Sequence, residues 1–115
     1  MAMEELKQEI VAAANNELNR ANEKFPLFNS GHEGAAVIYE ELQEGKEALE
    51  ELESSLLCLW DHIRGKETPC FMKGAIKPLA IAELAINLAC EATQTAAMLM
   101  KFEMSIELDV ERGVE

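Results

Sequence analysis

Apolar residues recur at helical spacing along three long stretches of this chain. In the middle stretch the seam positions alternate four and three residues apart without a miss. They are Ile38, Leu42, Gly45, Leu49, Leu52, Leu56, Leu59 and Ile63. Such a heptad pattern is typical of a helix that packs along one continuous seam. It predicts a long second helix that starts near residue 33 and reaches residue 64.

The first stretch predicts a helix over residues 4–23. Its inner face comprises Leu6, Ile10, Val11, Ala14, Leu18 and Ala21. Pro26 and Gly31 disfavour helix and therefore separate this element from the next one. Phe25 and Phe28 lie in the same break, and both are expected to need cover from the core.

The third stretch, residues 79–102, is apolar around most of its circumference but carries one narrow polar line. Glu83, Asn87, Glu91 and Gln94 follow at spacings of four, four and three, so they stack on one helix face. Pro78 suits the first turn of this helix, after a loop at residues 65–74. A carboxylate inside such a helix is costly unless it is paired, protonated or metal-bound. The line therefore predicts a polar or metal-binding cleft within a helical bundle.

The predicted fold is all-α, an antiparallel bundle of three long helices that forms a single domain over residues 1–115. The acidic tail, residues 106–115, is either a short fourth helix or a frayed end. Three helices do not easily cover both the heptad seam and the whole circumference of helix three. We therefore expect dimerisation to complete the bundle, as a homodimer or homotetramer.

Composition narrows the classes of partner. The chain has 22 acidic and 10 basic residues, a formal net charge of −12, which disfavours nucleic acid and anionic membrane surfaces and suits divalent cations. Three cysteines without a CxxC pair predict small buried hydrophobes rather than a disulfide framework or a zinc site. The polar line argues against a membrane span, and the N-terminus shows no secretory signal. A soluble, cytoplasmic protein is expected.

Candidate chemistry lies in an EExxE motif on helix two. At 100° per residue Glu41 and Glu44 face a common cleft, while Glu40 points almost directly away from the seam. Helix three offers Glu91 and Gln94, also three residues apart. Two helices that each present such a pair of oxygens can surround a hard cation. All-oxygen ligation favours Mg²⁺ or Mn²⁺, and the absence of a Glu-x-x-His pair argues against a di-iron site.

Plainer interpretations of these residues stay open. Helix two is rich in glutamate, so its motif also fits a solvated face. Glu91 also fits a buried glutamate paired with Lys73, Lys77 or Lys101, or hydrogen-bonded across a dimer. Lys101 is a candidate for contact with a phosphate, and the alternative is a solvated lysine. Asn87 is a candidate for a hydrogen bond to a base or sugar, and the alternative is a core amide.

Two runs of sequence resemble a known family. Residues 30–41 read SGHEGAAVIYEE and residues 91–102 read EATQTAAMLMKF. Together they are similar to the MazG-like branch of the all-α nucleoside triphosphate pyrophosphohydrolases, a superfamily that includes dimeric dUTPases. The Gln-x-Ala-Ala-Met run resembles a divergent, phage-like branch. The resemblance covers helix two, helix three and the loop before helix two.

This resemblance implies an enzyme that cleaves a nucleoside triphosphate between its α- and β-phosphates, with Mg²⁺ as the cofactor. It implies that Glu41, Glu44 and Glu91 are the metal-binding catalytic residues, with Glu40 a secondary candidate. Gln94 stands where the family pattern has aspartate; its amide oxygen can bind Mg²⁺ but contributes no charge. A second hypothesis is therefore a catalytically weak or inactive helical relative that binds nucleotide or protein as a dimer. The sequence leaves open which nucleotide is bound and how many metal ions.

Overall fold

The computed structural model describes residues 2–25, 27–65 and 77–111, with side chains described as far as residue 106. These residues form three helices: α1 (Ala2–Lys24), α2 (Gly31–Ile63) and α3 (Pro78–Glu111). The described ranges contain no strand. The fold is an all-α helical bundle, as the sequence predicts.

The ends of α1 and α2 lie within two residues of their predicted positions, and Pro78 is the first residue of α3 as expected. The tail differs from the prediction. Helix α3 continues without a break as far as Glu111, so neither a separate fourth helix nor a frayed end begins at residue 106. Most of the predicted loop lies outside the described residues, as do residues 112–115.

Contacts divide the chain into two compact units. Unit 1 comprises Met1–Leu42 and Ala92–Glu115, and unit 2 comprises Gln43–Glu91. Each unit is described below by itself. The single domain over residues 1–115 and the dimer stay predictions.

The core of unit 1 forms around a pair of aromatic rings. Phe28 is buried and meets Phe102 edge to face, with 6.1 Å between ring centroids. A Cβ added at Gly34 would lie 3.1 Å from the Phe28 ring and 3.3 Å from the Phe102 ring. The glycine therefore lets α2 approach this ring pair. Ala14, Leu18 and Ala97 are the other buried apolar side chains described in this unit.

Helix α3 forms hydrogen bonds with the segment that follows α1. The buried Lys101 Nζ donates a 2.7 Å hydrogen bond to the Phe25 carbonyl and lies 4.8 Å from the Phe28 ring centroid. The Phe28 N–H donates to Ser105 Oγ at 3.0 Å, and that hydroxyl donates to the Lys101 carbonyl at 2.9 Å. Because carbonyls at a helix C-terminus lack intrahelical partners, Lys101 acts as a cap for α1 from a distant helix.

Substitution of Ser105 tests how much these hydrogen bonds contribute to stability. Ser105→Ala leaves the Phe28 N–H without its buried acceptor, so we expect a loss of about 1–2 kcal/mol in the free energy of unfolding. Urea denaturation measures it. The control is Ser54→Ala, an exposed serine on α2, for which the change should stay within about 0.5 kcal/mol. Equal midpoints for the two variants would contradict the role given to Ser105.

In unit 2, α2 ends in a glycine turn. The Gly65 N–H donates to the His62 carbonyl at 3.1 Å, and Gly65 has a φ of 77°, a conformation that side-chain-bearing residues rarely adopt. Just before it, the Arg64 guanidinium lies 5.6 Å from the centroid of the exposed Trp60 ring. Ser55 and Ile81 are the buried side chains described in this unit.

Several faces predicted to be buried are exposed in the single chain. On α1, Ala14 and Leu18 are buried, but the predicted inner-face residues before them are exposed. On α3 the prediction of burial on most sides is wrong for the chain by itself. Exposed apolar side chains on these two helices include Leu6, Ile10, Val11, Leu79, Ile86 and Leu99. Phe25, which was expected to need cover, is also exposed.

The cysteines differ from the prediction as well. Cys90 is exposed, with a free thiol, rather than a small buried hydrophobe. Cys58 is half-buried and takes part in a disulfide, which the sequence did not predict. Cys70 lies outside the described residues. None of the helices in the described part of the chain is long and apolar enough to cross a membrane.

Candidate metal centre

The structure brings together three of the carboxylates singled out in the sequence. Glu44 and Glu91 belong to unit 2, and Glu41 lies one turn before Glu44 on the same helix. Each of the three offers one carboxylate oxygen, and these oxygens all lie within 4.8 Å of one another. Glu41 and Glu91 are half-buried, while Glu44 is exposed.

Helix geometry explains this convergence on α2. Residues three apart lie on one face, so Glu41 and Glu44 extend from successive turns in the same direction. Neither Pro nor a β-branched residue interrupts residues 39–46, and this part of α2 is regular helix. Glu91 meets the α2 pair from α3. The short distance between Glu41 and Glu44 therefore follows from helix geometry alone. Only the position of Glu91 near them depends on tertiary packing.

The donor set fits a hard divalent cation. Oxygen ligands around an octahedral Mg²⁺ stand about 2.1 Å from the ion, so neighbouring oxygens are about 3 Å apart and opposite ones about 4.2 Å. The three carboxylate oxygens lie within 4.8 Å of one another, a limit only about 0.6 Å above the separation of opposite ligands. Soft-metal chemistry is less suited to this cluster, because all three of its donors are carboxylates.

Next to the cluster, unit 2 contains an open groove of about 350 Å³. The groove is lined by residues of α2 and α3, most of them acidic or polar. They are Glu44, Glu47, Ala48, Glu51, Asn87, Cys90 and Glu91. Four carboxylates on one groove concentrate negative potential and so attract cations. An anionic ligand would enter this groove favourably only in company with a cation.

The remaining predicted site residues lie in different surroundings. Asn87 is exposed and lines the groove, as a residue that contacts a ligand would. Gln94 is half-buried, one turn beyond Glu91 on α3, and Glu40 is exposed. Lys101 is buried in unit 1, where it binds the Phe25 carbonyl. Its role in phosphate contact stays a prediction, and its observed contacts are structural.

Three groove residues were missed as site candidates. Glu47 and Glu51 follow Glu44 at i+3 and i+7, which places all three on one face of α2. That spacing is present in the sequence, but the many other glutamates of this helix gave no reason to single out these two. Cys90 also lines the groove. The apolar residues around it had suggested burial, and no sequence signal distinguished it.

Comparisons with protein-family models, with curated proteins and with solved structures find no match to this chain. The resemblance to the MazG-like pyrophosphohydrolases therefore stays a prediction from the two sequence runs. The carboxylate cluster and its groove are the structural observations that bear on function.

Proposed function

We propose that this protein is a metal-dependent nucleoside triphosphate pyrophosphohydrolase of the house-cleaning type, which converts a nucleoside triphosphate to a monophosphate and pyrophosphate. One observation carries the proposal: carboxylate oxygens of Glu41, Glu44 and Glu91, from two helices, lie within 4.8 Å of one another. The resemblance of residues 30–41 and 91–102 to the MazG-like branch supports the choice of reaction.

In the proposed reaction Glu41, Glu44 and Glu91 would hold Mg²⁺, or Mn²⁺ in its place. The chemistry supplied by such an ion would be neutralisation of phosphate charge and a lower pKa for the attacking water. Glu47, a groove carboxylate one turn beyond Glu44, would orient that water and accept its proton. The water oxygen forms a bond to the α-phosphorus, the bond from that phosphorus to the bridging oxygen breaks, and pyrophosphate leaves with the electron pair.

Substrate binding follows from the same groove. Asn87 lines the wall and offers both a hydrogen-bond donor and an acceptor, which suits a base or a sugar hydroxyl. Gln94, one turn beyond Glu91, offers an uncharged oxygen to the metal. Glu40 is a secondary ligand and Lys101 a candidate for phosphate contact. We expect the enzyme to act in the cytoplasm as a homodimer or homotetramer.

One observation favours the alternative, a catalytically weak or inactive relative that binds nucleotide or protein. The groove has no lysine or arginine among its described lining residues, so none of these supplies a positive charge for a phosphate. Gln94 in place of the family's aspartate points the same way, because it removes one negative charge from the metal ligands.

The test is pyrophosphate release from a panel of ribo- and deoxyribonucleoside triphosphates, each with Mg²⁺ and with excess chelator. The proposal expects Mg²⁺-dependent release from at least one nucleotide, with the corresponding monophosphate as the second product. Release of inorganic phosphate instead would contradict cleavage between the α- and β-phosphates. A folded protein that binds the metal and hydrolyses no nucleotide would support the non-catalytic alternative.

A further inference from the structure

Helix α2 exposes an apolar stripe that is separate from the carboxylate groove. We define the α2 stripe as Lys46, Leu49, Glu53, Leu56, Trp60 and Ile63, which follow one another at spacings of three and four. Its four apolar side chains are between 42% and 66% exposed. At 100° per residue the stripe lies about half a turn around α2 from Glu44, Glu47 and Glu51. It is therefore available to a partner without blocking the groove.

The charges on the stripe are complementary to one another. Lys46 and Glu53 are seven residues apart, so they occupy equivalent places in consecutive heptads. If a second copy of α2 lies antiparallel, with the twofold axis near residues 49 and 50, Lys46 of each copy faces Glu53 of the other. The twofold axis makes this pair twice. Exposed Tyr39 and Trp60 stand in the same relation.

The glycine in the seam fits the same arrangement. A Cβ added at Gly45 would meet nothing within 4 Å, so packing in the single chain does not require glycine there. A helix-interior glycine costs about 1 kcal/mol relative to alanine. In the antiparallel arrangement Gly45 lies opposite residue 54 of the second copy, between its seam residues Leu52 and Leu56. A parallel pair would instead set Gly45 against Gly45 and leave a void in the seam.

We infer that the α2 stripe is the contact surface for a second copy of this chain, with the two α2 helices antiparallel and Lys46 of each facing Glu53 of the other. The inference does not rest on the proposed hydrolysis, because the stripe and the groove lie on different sides of α2. It replaces a general expectation of dimerisation with a specific face, direction and register.

Charge reversal tests this register. Lys46→Glu and Glu53→Lys each set like charges opposite one another twice, so each should weaken self-association by about tenfold. The double variant, Lys46→Glu with Glu53→Lys, restores opposite charges and should associate like the wild type. Mixing the two single variants should give a heterodimer, since all four facing charges are then complementary. Sedimentation equilibrium measures each case.

Glu51→Lys is the matched control for Glu53→Lys. It makes the same change of charge, but on the groove side of α2, and should leave self-association unchanged. Circular dichroism establishes that every variant is folded. A wild-type chain that stays monomeric at its highest soluble concentration would overturn the inference, and would leave the stripe to a different protein. Single variants that associate as tightly as the wild type, or a double variant that fails to recover, would also overturn it.

Discussion

Glu91→Gln is expected to abolish Mg²⁺-dependent pyrophosphate release while leaving the helices intact. The substitution keeps the size of the side chain but removes one of the three negative charges whose oxygens lie within 4.8 Å of one another. On the proposed function the metal site loses one of its charged ligands at the point where charge develops on the phosphate. We expect a reduction in kcat/KM on the order of a thousandfold.

A second readout separates metal binding from turnover. A ligand that binds only the folded state raises the melting temperature in proportion to the logarithm of its concentration. Mn²⁺ should therefore raise the melting temperature of the wild-type protein, and Glu91→Gln should reduce that rise. A rise that is unchanged in the variant would exclude Glu91 as a ligand. A normal rise in a wild type without turnover would support the non-catalytic alternative.

The control for this experiment lies on the same helix. Glu83 is exposed, eight residues before Glu91, and does not line the groove. Glu83→Gln changes the net charge by the same amount, so it corrects for general electrostatic effects on nucleotide and metal binding. Both its activity and its melting behaviour should match the wild type within error.

Lys101→Met is expected to have the largest effect on stability among the substitutions considered. Lys101 as a residue is 4% exposed. The substitution preserves most of the aliphatic stem but removes an ammonium that binds the Phe25 carbonyl at 2.7 Å and lies over the Phe28 ring. A hydrogen bond from a charged group and a desolvated cation–π contact are each worth about 2 kcal/mol. Since the released carbonyl regains water in part, we expect a net loss of about 2–3 kcal/mol in the free energy of unfolding.

Denaturant unfolding of Lys101→Met measures this loss, and Lys7→Met is the control because Lys7 is exposed on α1. The same variant addresses the phosphate contact suggested by the sequence. A folded Lys101→Met protein of wild-type stability that fails to hydrolyse nucleotide would refute the structural role and favour contact with the substrate. Loss of stability with turnover retained per folded molecule would do the opposite.

The helices were readable from the sequence because their signals are local. Periodic apolar residues, the break at Pro26 and Gly31, and Pro78 at the start of α3 all act within a few residues. The pairing of Glu41 with Glu44 was predictable for the same reason. That Glu91 joins them was expected from the polar line of helix three, and it depends on tertiary packing.

The contacts of Lys101 and the continuation of α3 past residue 105 could not be predicted from the sequence. Lys101 binds a backbone carbonyl 76 residues away. Every residue has such a carbonyl, so no sequence pattern indicates which one a lysine will bind. The acidic tail, residues 106–115, suggested that the third helix ends near Ser105. In the structure α3 continues through Ser105, whose hydroxyl donates to the Lys101 carbonyl and accepts the Phe28 N–H.

The free thiol of Cys90 places a native attachment point beside the candidate metal centre. Cys90 is exposed, lines the groove and immediately precedes Glu91. A nitroxide attached there under non-reducing conditions, which preserve the disulfide at Cys58, would sit close enough to Mn²⁺ held by the carboxylates for its spectrum to broaden. Occupancy of the centre thus becomes a spectroscopic quantity that requires neither a substrate nor turnover.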